Sequence, residues 1–142
     1  MFYEGIGKLL AEAATMLAAG PQGGDVKAQR AQRGITTLLR RLGAVWPGVF
    51  DALRDETVVL ERTISVARKV AAEHGLDLAP EPSVPDPVGH YGALQRELDT
   101  LVEHFHAAGD AAWAQTALRD IRRGFAEAAE VQGRLVDAML AS

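Results

Sequence analysis

Apolar residues recur at intervals of three and four through five successive segments of this chain. That spacing confines it to helices that bury one face each. The first stripe reads Phe2, Ile6, Leu9, Ala13, Met16, widened by Leu10 and Leu17. The second reads Ala28, Ala31, Ile35, Leu38, Leu42, and the third Phe50, Leu53, Thr57, Leu60, Ile64, Ala67, Ala71. The fourth is Tyr91, Leu94, Leu98, Leu101, Phe105, Ala108. The fifth is Ala114, Leu118, Ile121, Phe125, Ala128, Gln132, Leu135, Met139, with Gln132 its polar intruder. Abundant alanine and sparse β-branched residues favour the same state by propensity.

The breaks between segments carry recognisable chemistry. Gly20-Pro21, followed by Gly23-Gly24, ends the first segment. Asp25 is suited to cap the second, which ends near Gly43. Pro47 fits a first helical position, where a missing N–H is harmless; the alternative is one helix running through both segments with a kink at Pro47. The third segment ends near His74-Gly75. Residues 77–88 hold four prolines and form a loop or extended strap. Asp86-Pro87 caps and opens the fourth segment, Gly109 stops it, and Asp110 caps the fifth.

These features predict an all-α fold: an antiparallel bundle of four or five helices, two of them long, in a single domain over 1–142 with a proline-rich connector at about 77–88. The third and fifth segments reach about 28–32 residues, or roughly 42–48 Å at 1.5 Å per residue, against about 17–20 residues for the others. Apolar ends that outrun their neighbours need cover, most simply from another copy, so a homodimer is expected.

Composition narrows the function classes. With no cysteine, the chain has no disulfide framework, thiolate-ligated metal or thiol nucleophile. Glu4, Lys8 and Glu12 interrupt the first apolar run, so no signal peptide is expected. No run approaches 18 uncharged apolar residues, so no membrane span is expected, and the cytoplasm is the default location. The net charge of −4 disfavours nonspecific nucleic-acid binding. It is divided unevenly, +2 over residues 1–76 and −6 over 77–142.

Few residues carry candidate chemistry. Glu103 and His106 stand one helical turn apart, with Asp99 a turn earlier, as in half of a carboxylate-bridged metal site in a helical bundle. Only one such motif occurs, and the simpler reading is a solvated face ending in a histidine that favours the helix dipole. His104 and His106 beside Glu103 offer general acid–base groups without a nucleophile, and the serines are only Ser65, Ser83 and Ser142. Lys27, Arg30, Arg33, Arg40 and Arg41 give the second segment a basic face that suits phosphate contact or plain solvation. Thr57 and Gln132 occupy stripe positions of the two longest segments, where a polar layer fixes register or oligomeric state. On that reading, Gln132→Leu raises stability while loosening assembly. Trp46-Pro47-Gly48 resembles the Trp-x-Gly turn of small secreted WXG-type helical hairpins. The likeness covers three residues of a longer chain with more helices, and nothing is carried over from it.

The expectation is therefore a non-enzymatic helical bundle without a cofactor. It would act through self-association and protein–protein contact, as an adaptor or accessory subunit. The alternative is a bundle that binds a ligand or metal between helices, with Glu103 and His106 as the metal residues, possessing enzymatic activity in one version of that reading.

Overall fold

The computed structural model describes residues 2–18 and 25–141, apart from the side chains of Phe2, Glu4 and Ala18. Four helices account for most of them: α1 (Phe2–Ala18), α2 (Val26–Glu73), α3 (Pro87–Ala107) and α4 (Ala112–Ala141). No strand occurs among the described residues, and no helix there is long and apolar enough to cross a membrane. The expected stop at Gly20-Pro21 lies outside the described residues.

The second and third segments are one helix of 48 residues that passes through Pro47 without a break. A proline inside a helix removes one backbone hydrogen bond and crowds the carbonyl four residues earlier. Here that position is Gly43, which has no side chain, and both Gly43 and Pro47 are exposed to water. Buried Leu42, Val45, Val49, Ala52 and Leu53 hold the helix together on either side. Trp46-Pro47-Gly48 therefore forms no hairpin turn.

The caps follow local chemistry. Asp25 Oδ1 accepts from Lys27 N at 3.0 Å and opens α2. At its other end Gly75, with φ of +73°, allows Leu76 N to reach Ala71 O and Gly75 N to reach Ala72 O, closing the last turn. Asp86 caps α3 through Gly89 N, with Pro87 at the first helical position. Gly109, at φ +68°, follows α3. Asp110 does not cap α4: Gln115 N bonds Ala111 O, which moves the boundary one residue on.

Two compact units divide the chain. Unit 1 comprises residues 1–50 and 134–142, unit 2 residues 51–133. In unit 1, Tyr3, Ile6 and Ala13 of α1 are buried, as are Leu42, Val45 and Val49 of α2 and Leu135 of α4. The α1 stripe is thus rotated from the expected one. Leu9 and Met16 are exposed, while Tyr3 is inside.

Unit 2 packs three helical stretches. Glu61 meets His90 and Arg68 meets Glu97, an offset of 29 residues in both cases, so α2 and α3 run in the same direction. The expected antiparallel order fails for this pair. The connector explains why: after the closing turn, residues 76–86 are not helical and return along α2, where Arg68 donates to Ala79 O. A strap of that length lets α3 start again beside the middle of α2. Against α4 the numbering runs oppositely: Thr63 lies at Gly124, Glu56 at Gln132, and His74 stacks on Trp113. The stripe of α3, from Tyr91 to Phe105, is buried as expected.

Candidate functional site

Unit 2 buries one charged residue among those described, and a network of polar side chains gathers around it. Glu56 has no solvent exposure. Tyr91 Oη donates to Glu56 Oε2 at 2.6 Å, and Gln132 Nε2 donates to the same oxygen at 2.9 Å. The Tyr91 oxygen accepts in turn from Gln95 Nε2 at 3.0 Å and from Gln132 Nε2 at 3.2 Å. Three helices contribute: α2 the carboxylate, α3 the phenol and Gln95, and α4 the amide. Burial raises the Tyr91 pKa well above the ordinary tyrosine range; its hydrogen bond to Glu56 and the carboxylate's charge push the same way, and the Gln132 hydrogen bond opposes them in part.

An arrangement of this kind can act as a lock on register. A buried carboxylate left without donors costs about 1–3 kcal/mol or more, so the helices are held where residues 56, 91 and 132 meet. A shift of one residue on any helix removes that member. Surface grooves of unit 2 are lined by other residues. One of about 260 Å³ lies between α2 and α4, floored by Ala67, Ala117, Ile121 and Gly124.

The sequence-derived residues distribute unevenly around this lock. Gln132 belongs to it. Thr57 does not: it is half-buried, and its hydroxyl donates to Leu53 O of its own helix at 2.7 Å. The expected stripe holds at Leu53, Leu60, Ile64, Ala67 and Ala71, but at this turn Glu56 occupies the core place assigned to Thr57. The signal was present, since Glu56 stands three residues after Leu53 and four before Leu60, the same spacing as the apolar stripe. Glu103 and His106 are both exposed on α3, as is Asp99. Among the described residues no group of three or more His, Cys, Asp or Glu side chains is placed to hold a metal ion.

A second feature is apolar. Of the eleven large hydrophobic side chains exposed among the described residues, seven belong to unit 1: Leu9, Met16, Leu17, Val26, Trp46, Phe50 and Leu140. Trp46 and Phe50, one turn apart on α2, are 43% and 58% exposed and pack edge to face with centroids 5.6 Å apart. No family model, no curated protein and no solved structure matches this chain.

Proposed function

We propose that the protein is a non-enzymatic helical-bundle module of the cytoplasm that self-associates as a homodimer and acts by protein–protein contact, as an adaptor or accessory subunit. The observation that carries this reading is the exposed Trp46–Phe50 pair, in a unit that exposes five more large apolar side chains. Soluble monomers rarely leave large apolar side chains grouped in water, and aromatic residues dominate interface energetics. The buried Glu56–Tyr91–Gln132 lock supports the same reading. Its hydrogen bonds join three helices, which suits a role in fixing one arrangement of helices.

Sedimentation velocity on the untagged chain at micromolar concentration tests the proposal. The expected species has twice the 15.2 kDa mass of one chain. Trp46→Glu with Phe50→Glu shifts it to the monomer while the helical circular dichroism is retained. A wild-type monomer at that concentration, or a dimer indifferent to both substitutions, overturns the proposal.

A further inference from the structure

Between Asp25 and Asp51 the chain has no acidic residue, and the N-terminal half of α2 carries Lys27, Arg30, Arg33, Arg40 and Arg41. All but the half-buried Arg41 are exposed. None makes an ion pair with a described residue. Arg33 and Arg40 stand seven residues apart, so they project within about 20° of each other and about 10.5 Å apart along the axis. They bound a trough of about 440 Å³ whose other lining is Gln29, Gln32, Thr36 and Thr37. Among the described residues no carboxylate lines it. The Thr36 hydroxyl is engaged with Gln32 O at 2.9 Å, which leaves two guanidiniums, two side-chain amides and the Thr37 hydroxyl as the donors.

From this we infer that the trough binds a compact anion bearing two or more phosphoryl groups, one at each arginine. A guanidinium presents a planar fork that matches phosphate oxygens two at a time, and neutral amides and hydroxyls complete such sites. The size of the anion follows from the charge of the whole chain. Residues 77–142 carry −6, so a long polyanion is repelled over most of the molecule, whereas a short one meets the basic face alone. This ranks a small polyphosphate above nucleic acid.

Calorimetric titration with inorganic tripolyphosphate at low salt tests the site. A saturable one-to-one isotherm is expected. It weakens by about tenfold or more in Arg33→Gln and in Arg40→Gln, and comparably when salt is raised, because the contacts are exposed. Arg122→Gln, an exposed arginine on α4, leaves it unchanged. Arg33→Lys keeps the charge without the fork and binds more weakly than wild type, which separates recognition from any loss of folding. Absence of binding, or equal losses in all the variants, overturns the inference. Tighter binding of a single-stranded oligonucleotide than of tripolyphosphate through the same two arginines also overturns it, in favour of a nucleic-acid surface.

Discussion

Gly124→Ala separates two opposing effects inside one helix. Glycine in a helix interior is less stable than alanine by about 0.8–1 kcal/mol, so the exchange should help if space permits. It does not. A Cβ on Gly124 would lie 2.3 Å from Thr63 Oγ1, 2.8 Å from Thr63 Cγ2 and 3.0 Å from Thr63 Cβ. The Thr63 hydroxyl is tied to Val59 O at 2.8 Å, and turning the side chain brings no relief, because its Cβ is itself too close. The two helices must part by several tenths of an ångström. Overpacking of this kind costs about 1–3 kcal/mol, sometimes more, so the net effect is destabilisation by roughly 1–2 kcal/mol. Gly133→Ala is the control in the same helix. A Cβ there meets nothing within 4 Å, and the gain of about 0.5–1 kcal/mol should appear undiminished. Urea unfolding followed by helical circular dichroism and tryptophan fluorescence measures both. Thr63→Ala in the Gly124→Ala background removes the two shortest contacts and should recover most of the loss. If Gly124→Ala is as stable as Gly133→Ala, or if Thr63→Ala recovers nothing, the close approach of α2 and α4 at this point is refuted.

The buried lock makes two further predictions. Gln132→Leu strips one donor from Glu56 and one from Tyr91, so it should lower stability by about 1–3 kcal/mol in urea unfolding. That reverses the gain expected when Gln132 is taken as an isolated polar residue, and unchanged or higher stability would count against the network. Alkali tests Tyr91. Its folded pKa lies above the unfolded value of 10.0, so the unfolded chain loses that proton first and stability declines as pH rises past 10. Tyr91→Phe should flatten this decline, whatever it does at neutral pH. In the absorbance difference between wild type and Tyr91→Phe, Tyr91 should resist ionisation until unfolding; an ordinary titration in that difference would refute the burial argument.

The helical class, the caps at Asp25 and Asp86 and the turns after α2 and α3 were legible in the sequence because they depend on residues within a few positions of each other. Spacing of three and four decides whether a helix has an apolar face, and a carboxylate or glycine at a terminus acts on the nearest backbone groups. The α3 stripe was read correctly from Tyr91 to Phe105 for the same reason: every position there was apolar and one phase was plainly best; Ala108, its last expected member, is the half-buried cap that follows the helix.

Phase elsewhere required the tertiary structure. Leu53, Glu56 and Leu60 are spaced as well as Leu53, Thr57 and Leu60, and only the partners across the core decide between them. A glutamate is driven outward by its own solvation, so nothing local places it inside; Tyr91 and Gln132, 35 and 76 residues away, supply the donors that hold it there. Continuity through Pro47 was decided in the same way, by buried side chains on both sides of a residue that locally favours a break. The parallel course of α2 and α3 depended on whether residues 74–86 turn at once or run back along α2. Pro80, Pro82 and Pro85 keep the strap out of helix, but its direction is set by Arg68, which holds Ala79 and Glu97 together on the flank of α2.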